Sequence, residues 1–203
     1  MAIKFKIIPM KINLFYFIML VVLPLEAFAQ PVEYLLKDNW KAKRAVDVTA
    51  DGSVITGGEF EMEGWMDAIV PGTILTTLLH NKQIPDPFFG MNNNLIPDVY
   101  DTGRDYYTYW FYKEFEIPEL KDGQEVWLNF RGINYFADVF LNGKRVNADT
   151  HQGMYLREKY LITSLLNRGK INRLVVWVAP PDPVGADNMT SFPAPPDHHI
   201  ILH

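Results

Sequence analysis

The pattern of apolar and polar positions predicts that the chain after its first 29 residues is all-β. The run Val126-Trp127-Leu128-Asn129-Phe130 alternates cleanly and is soon followed by Gly132, which is the pattern of a strand with one buried face. A further strand is predicted over Arg173 to Ala179, where Pro180-Pro181 closes it. Tyr106 to Ile117 is mostly apolar on both alternate faces, so we expect a strand that is buried on both sides or one that lies over a second sheet.

A tight hairpin is predicted at Asn142-Gly143, which lies between the strand-like runs Ala137–Leu141 and Lys144–Ala148. A two-residue type I′ turn needs positive φ at both central residues, and the pair Asn-Gly meets that need well. Alternate residues from Ala137 onward would then face the core, because every second side chain of a strand lies on the same face.

Helix is predicted at few places. Thr73–Asn81, after Pro71-Gly72, is a candidate helix, and Thr163–Leu166 is a candidate for a short turn with Thr163 as its N-cap. Several short strands, separated by turn residues every ten or so positions, are typical of a sandwich or jelly roll. The pattern therefore predicts an all-β fold, a jelly-roll β-sandwich.

The first 29 residues have the features of an export signal. Three lysines precede a run from Ile12 to Leu23 that is almost wholly apolar, and Ala27-Phe28-Ala29 places small residues at the two key positions. Cleavage is expected between Ala29 and Gln30, which predicts a secreted or periplasmic protein. Two alternatives stay open. One is an uncleaved membrane anchor, although the apolar run is shorter than the ~20 residues that span a bilayer as a helix. The other is a true start at Met10-Lys11, which would give a more compact signal.

Length, cysteine content and net charge exclude several classes of protein. Residues 30–203 are enough for one domain with a substantial core, and the absence of cysteine excludes disulfides and thiolate metal sites. Without residues 1–29, 16 basic and 23 acidic residues would remain, a net charge of −7. An acidic surface argues against nucleic acid or an anionic membrane as a partner, and no membrane partner is expected after cleavage.

The domain is expected to span residues 30–181, because the composition changes after Pro181. Six prolines lie between Pro180 and Pro196, which is typical of an extended segment. Residues 182–203 are therefore assigned to a Pro-rich tail or truncated linker. The three histidines near its end, His198, His199 and His203, have no shell of carboxylates around them in the sequence, so we expect a solvated tail rather than a metal site.

Four segments, taken in their order and spacing, resemble the N-terminal sugar-binding (jelly-roll) domain of glycoside hydrolase family 2, in its β-mannosidase and exo-β-glucosaminidase branch. The resemblance covers Trp40 to Pro181, which is most of the chain after the predicted signal. The segments are Trp65 with Val70-Pro71-Gly72-Thr73, Ile84–Asn92 (IPDPFFGMN), Tyr109–Phe115 (YWFYKEF) and Phe130–Lys144 (FRGINYFADVFLNGK).

The resemblance implies a galactose-binding-domain-like jelly roll that is the non-catalytic N-terminal domain of a secreted, exo-acting, retaining β-glycosidase. Such an enzyme would hydrolyse O-glycosyl bonds of β-mannosides, β-glucosaminides or β-galactosides on a (β/α)8 barrel with two catalytic glutamates, of which the acid/base follows an Asn. No Asn is followed by Glu in this sequence, so no catalytic residue is assigned. The expected partners are carbohydrate and the catalytic barrel of a parent enzyme.

Two other functions stay open at this point. The first is a freestanding carbohydrate-binding module that has no hydrolase activity, and the second is a purely structural jelly roll without a ligand. The DNA downstream of the coding sequence would separate these from the first interpretation, because a barrel encoded there favours a glycosidase.

The segment Asp86–Asp101 is the best candidate for contact with a sugar. Carboxylates and amides can bind sugar hydroxyls and an aromatic ring can stack on a pyranose face, so we assign substrate binding to Asp86, Phe88, Asn92 and Asp98. In related enzymes a loop of this domain approaches the rim of the active site. The alternative is a plain connector, since Pro, Gly, Asn and Asp are the usual residues of loops.

Two further residue sets also have a structural explanation. The aromatic residues between Tyr106 and Tyr112 would suit a sugar-stacking platform, but aromatics that alternate along a strand are more typical of a core. Asp98, Asp101 and Asp105 lack the spacing of a known Ca²⁺ loop. No metal and no other cofactor is therefore expected.

Overall fold

The computed structural model describes residues 3–9, 31–58 and 60–181. Within these residues eleven strands form two antiparallel sheets that enclose one main core. The strands are β1 (Ile3–Pro9), β2 (Val32–Leu35), β3 (Trp40–Arg44), β4 (Met66–Ala68), β5 (Tyr109–Phe115), β6 (Gln124–Phe130), β7 (Phe136–Leu141), β8 (Lys144–Arg145), β9 (His151–Gln152), β10 (Glu158–Leu161) and β11 (Asn172–Ala179). The predicted all-β, jelly-roll sandwich of the galactose-binding type is confirmed.

The two sheets differ in size. The smaller sheet has the order β10-β6-β1-β2, and the larger has the order β4-β3-β5-β11-β7-β8, with β9 beside β7. Strands that follow one another in the chain often lie apart in a sheet, so most pairings join distant segments, as between β5 and β11. Hydrophobic burial between the sheets therefore has to offset a large loss of chain entropy.

The core lies between the two sheets and has the period of two that the sequence predicts. Val126, Leu128 and Phe130 of β6 are buried from one side, while Ala137 and Val139 of β7 are buried from the other. The intervening residues of both strands are more exposed, because alternate side chains of a strand lie on opposite faces.

Strand β5 is buried on both faces, as predicted. Tyr109 and Phe111 belong to the core between the sheets, whereas Trp110 and Tyr112 pack in a second cluster around Ile55. The strand begins at Tyr109 rather than at Tyr106, because residues 104–107 form a 3₁₀ turn instead. Side chains that cover both faces of a strand leave no aromatic platform, so the sugar-stacking alternative for this segment is wrong.

The hairpin at Asn142 and Gly143 is confirmed, with φ angles of 49° and 82°. Strand β8 stops at Arg145, however, and does not reach Ala148 as predicted. The cause is the buried side chain of Asn147, which accepts a hydrogen bond from the Val139 amide (2.8 Å) and donates one to the Ala137 carbonyl (3.0 Å). The Asn147 side chain thus makes the hydrogen bonds to β7 that the backbone of a longer β8 would make.

The described residues include short helices only. The α-helices are α1 (Gly52–Ile55), α2 (Ile74–His80) and α3 (Val99–Thr102), and 3₁₀ turns cover Ala45–Asp47, Asn92–Leu95, Arg104–Tyr107 and Thr163–Leu165. The predicted helix after Pro71-Gly72 is confirmed, with Thr73 as its N-cap in a reciprocal capping box with Thr76. No described helix has the length and apolar character that crossing a membrane requires.

The expectation that Thr163 caps the last turn is wrong. The N-cap position belongs to Ile162, and the Thr163 hydroxyl instead accepts a hydrogen bond from the backbone amide of Val126 at 2.8 Å. Thr163 therefore ties the turn to β6, a bond that joins residues 37 positions apart and that no local pattern could indicate.

Strand β1 lies in the segment 1–29 that the sequence assigns to an export signal. It runs through the middle of the smaller sheet, between β2 and β6. The expected cleavage position between Ala29 and Gln30 lies outside the described residues, as does the tail 182–203. The signal and the tail therefore stay predictions.

Candidate functional site

The segment Asp86–Asp101 lies between helix α2 and the 3₁₀ turn that precedes β5. Buried side chains fix both of its ends, Ile84 just before it and Val99 within α3. The Tyr107 hydroxyl also donates a hydrogen bond to the Pro97 carbonyl. Burial raises the pKa of Tyr107 from its usual 10.0 to about 12, so the hydroxyl stays protonated as a donor well into the alkaline range.

Asp86 and Asn92 lie close together and hold the first half of the segment in shape. The carboxylate of Asp86 accepts a hydrogen bond from the Phe88 amide at 2.9 Å, and the side-chain amide of Asn92 donates to the Asp86 carbonyl at 3.0 Å. Asp86 itself is exposed. These groups fix a turn, so part of the polar chemistry that the sequence assigns to sugar contact has a structural use.

Asp98 has a separate role as the N-cap of α3. Its carboxylate accepts a hydrogen bond from the Tyr100 amide at 2.8 Å, and its carbonyl accepts one from the Thr102 hydroxyl at 2.7 Å. Asp98 therefore stabilises the second half of the segment, and no hydrogen bond among those described joins it to Asp86 or Asn92.

Phe88 is 93% exposed, which is the highest value among the large apolar side chains of the described residues. Three neighbours are also largely exposed: Phe89 (75%), Met91 (71%) and Leu95 (67%). We call these four side chains the apolar loop tip. Phe88 was predicted as a site residue, whereas Met91 and Leu95 were not, although apolar residues within a run of loop formers were a usable signal.

No group of three or more His, Cys, Asp or Glu side chains within residues 3–9, 31–58 and 60–181 is placed to hold a metal ion. Asp98 caps α3, Asp101 lies within α3 and Asp105 lies in the 3₁₀ turn that follows. The histidines of the tail lie outside the described residues. What the segment offers chemically is a hydrogen-bonded loop with exposed rings and an exposed carboxylate.

Comparison with known proteins identifies relatives among glycosidases. The family described as "Glycosyl hydrolase 2 galactose-binding domain-like" matches residues 39–198. The mannosylglycoprotein endo-β-mannosidase of Lilium longiflorum is 44% identical over 154 residues, which is 74% of this chain and 16% of that protein. The exo-β-D-glucosaminidase of Streptomyces avermitilis is 29% identical over 67% of this chain and 14% of its own length. The chain thus spans about one sixth of these relatives.

Solved structures have the same fold at low identity. The exo-chitosanase of Amycolatopsis orientalis matches 72% of this chain with a TM-score of 0.60 at 23% identity, over 16% of its own length. The β-D-mannosidase of Dictyoglomus thermophilum matches 78% of this chain with a TM-score of 0.55 at 24% identity, over 17% of its own length. Because the family model covers most of this chain and the sandwich agrees with it, the chain belongs to the galactose-binding domain-like family of glycosyl hydrolase family 2.

Proposed function

We propose that this chain is the non-catalytic N-terminal domain of a secreted, exo-acting, retaining β-glycosidase of the β-mannosidase, exo-β-glucosaminidase or β-galactosidase type. The family supports the assignment to a glycosidase, and the relatives named above support the mannosidase and glucosaminidase branch. The observation that carries the domain's own role is the apolar loop tip, which a hydrogen-bonded turn holds out in solvent.

The apolar loop tip is suited to contact with another part of a larger enzyme. Full burial of one Phe side chain is worth about 1.5–3 kcal/mol, and this loop exposes four large apolar side chains, which contact with a partner would bury. In this proposal the tip packs at the rim of the parent's substrate site. Phe88 stacks on a sugar ring, Asp86 and Asn92 contact hydroxyls, and Asp98 keeps the loop in position.

The test uses the full-length parent enzyme with single substitutions in the loop. Phe88→Ala should lower kcat/KM roughly tenfold, which corresponds to about 1.4 kcal/mol of transition-state binding. Asp86→Ala and Asn92→Ala should each cost about 1 kcal/mol, the value of a hydrogen bond. The matched control is Tyr155→Ala, which removes a ring that is 86% exposed in the loop between β9 and β10. Wild-type kinetics in all three loop variants would reduce the loop to a connector.

A freestanding carbohydrate-binding module is the second candidate, and affinity for sugars separates the two. A loop that completes its site only beside a catalytic domain has few contacts of its own, so mannose, glucosamine and galactose should bind this chain no better than millimolar, about −4 kcal/mol. Titration calorimetry on the chain of 203 residues measures this. Micromolar binding of any of the three sugars would favour the module.

Endo action is a further candidate, because the relative that is 44% identical is named an endo-β-mannosidase. The two modes of cleavage differ in substrate. An exo-acting parent should release p-nitrophenol from p-nitrophenyl β-mannoside readily, whereas an endo-acting parent should prefer a mannosyl glycopeptide whose β-mannosyl linkage is internal. Comparison of kcat/KM on these two substrates decides between them.

A further inference from the structure

Strand β1 occupies a central position that the rest of the smaller sheet depends on. All seven of its residues pair with β6, from Ile3 opposite Phe130 to Pro9 opposite Gln124. On its other side, four residues of β1 pair with β2. Since β2 lies at the end of the sheet order, β1 is what joins β2 to the described sheet.

The side chains of Ile3 and Phe5, at the start of β1, are buried and closely packed. Ile3 and Phe5 are 0% and 1% exposed, and the Phe5 ring stacks on Tyr34 with a centroid distance of 4.7 Å and an interplanar angle of 17°. Phe115 of the other sheet lies 5.8 Å from the same ring. On the outer face, Lys4 forms an ion pair with Glu33 at 2.9 Å.

Removal of β1 would leave a defined gap. The segment 1–29 that contains it is predicted to be cleaved after export, and the family model matches only residues 39–198. Without β1, seven residues of β6 would lose their backbone partners on that side, and Tyr34 and Phe115 would lose the ring between them. An open strand edge beside apolar pockets is a template on which an extended peptide can pair.

We propose that the space between β2 and β6 is a strand-accepting groove. Ile3–Pro9 fills it in the uncleaved chain, and after cleavage it takes an extended peptide that runs antiparallel to β6. The partner has apolar side chains at the positions of Ile3 and Phe5 and a basic side chain between them, where Glu33 supplies the opposite charge. The backbone bonds give affinity, and the two apolar pockets and the carboxylate give specificity.

The first experiment tests whether β1 lies in the groove. Because the chain has no cysteine, two introduced cysteines can form a disulfide only with each other. Lys4 and Asn129 are directly opposite in the β1–β6 ladder, at a separation that a disulfide can bridge. Lys4→Cys with Asn129→Cys should therefore cross-link on mild oxidation of the uncleaved chain. Lys4→Cys with Lys159→Cys is the matched control, because Lys159 pairs with Asn129 from the far side and is out of reach. Failure of the first pair to cross-link would overturn the proposal.

The second arm asks whether the strand can be exchanged. A protease site is inserted between Ala29 and Gln30 of the full chain, the chain is cut, and the fragments are separated in urea and refolded with a fluorescent peptide of residues 1–11. The peptide should bind the large fragment and raise its Tm, and a Phe5→Asp peptide should bind at least tenfold more weakly. If the large fragment folds only when the peptide is present, the proposal is also supported. A large fragment with the Tm of the uncut chain and no affinity for the peptide would overturn it, as would equal binding of the two peptides.

Discussion

Asn142 and Gly143 form the turn of the β7–β8 hairpin, and their tolerance of substitution should differ. Both have positive φ, which Asn accepts far more readily than a β-branched residue does. A Cβ on Gly143 would meet its nearest neighbours at 3.7 and 3.9 Å, which is ordinary contact. The cost of a side chain at Gly143 therefore comes from the backbone and not from crowding.

Gly143→Val should accordingly lower the free energy of unfolding by roughly 1 kcal/mol or more, since valine resists positive φ. Gly143→Asn is the control, and its loss should be clearly smaller because Asn adopts this conformation. Urea denaturation of the two variants gives the values. Equal losses in the two variants would show that φ is not the cause.

Asp51 is a second residue whose role can be tested, as the N-cap of α1. Its carboxylate accepts hydrogen bonds from the amides of Ser53 (2.8 Å) and Val54 (3.0 Å). The hydrogen bond from the Ser53 hydroxyl, followed by the one from Val54, lowers the pKa of Asp51 below its usual value of 3.8. Because the pKa of Asp51 is lower in the folded chain than in the unfolded chain, its charge stabilises the fold. This stabilisation is fully present above the unfolded-state pKa and is lost as the pH falls through the folded-state pKa.

Asp51→Ala should therefore cost about 1 kcal/mol at pH 7 and less at pH 3, because pH 3 lies below the usual pKa of 3.8 and part of the stabilisation is already lost there. Asp51→Ser keeps an uncharged cap, so it should lower the free energy of unfolding by less than Asp51→Ala at pH 7. This smaller loss should also decrease at pH 3. Chemical denaturation at the two pH values measures both. A loss from Asp51→Ala that is the same at pH 3 as at pH 7 would mean that the charge of Asp51 is not what stabilises α1.

Residue roles that depend on local chemistry could be predicted from the sequence, and those that depend on distant partners could not. Asn142-Gly143 and Thr73 have their roles because of their immediate neighbours. Asn147 and Thr163 bond to segments that only the fold brings near. In the candidate site, likewise, the exposure of Phe88 and the use of Asp86 in a turn follow from how the loop is anchored.

Helix α1 makes one very close approach to the larger sheet. Gly52 begins the helix and lies against the ring of Phe140, so that a Cβ there would be only 2.2 Å from the ring carbon Cδ2. Phe140 in turn packs edge-on against Trp110, with ring centroids 6.0 Å apart. The helix thus covers the outer face of the larger sheet, next to the strand that is buried on both sides.

Gly52→Ala should destabilise the chain by about 1–3 kcal/mol, the usual cost of overpacking. Phe140→Val makes room for the new methyl group. The loss in free energy of unfolding of the double variant should therefore be smaller than the sum of the two single losses, by at least about 0.5 kcal/mol. Val54→Ala serves as a control, because Val54 is an exposed residue of the same helix and should change stability little. Strict additivity in the double variant would argue against contact between Gly52 and Phe140.

At the scale of elements, periodicity predicted the strands well where the chain has one clear pattern. Strands β6, β7 and β11 agree closely with their predicted ranges. The start of β5 differs because residues 104–107 close a turn in which the Thr108 hydroxyl donates to the Arg104 carbonyl. Strand β1 was not predicted, because its basic and apolar residues also fit the beginning of an export signal.

At the scale of the whole molecule, many carboxylates of the described residues have structural partners. Glu114 pairs with Arg173 at 3.1 Å, and Asp67 pairs with Lys41 at 2.6 Å. Asp138 pairs with Arg145, and Glu158 contacts the buried ring of His151. These pairs lie along strands and loops, where they link neighbouring segments of the sandwich.

We therefore expect the purified chain to hydrolyse none of three test substrates, p-nitrophenyl β-mannoside, β-glucosaminide and β-galactoside, above the rate in buffer. Retaining hydrolysis needs two carboxyl groups about 5–5.5 Å apart, one to protonate the leaving oxygen and one to attack the sugar. The family resemblance implies an acid/base Glu that follows an Asn, and no Asn in this sequence is followed by Glu. A full-length relative assayed in parallel confirms that the conditions permit turnover. Hydrolysis by the pure chain that disappears when one of its own Glu or Asp residues is replaced would place the catalytic machinery in this domain, and the assignment of a non-catalytic role would have to be abandoned.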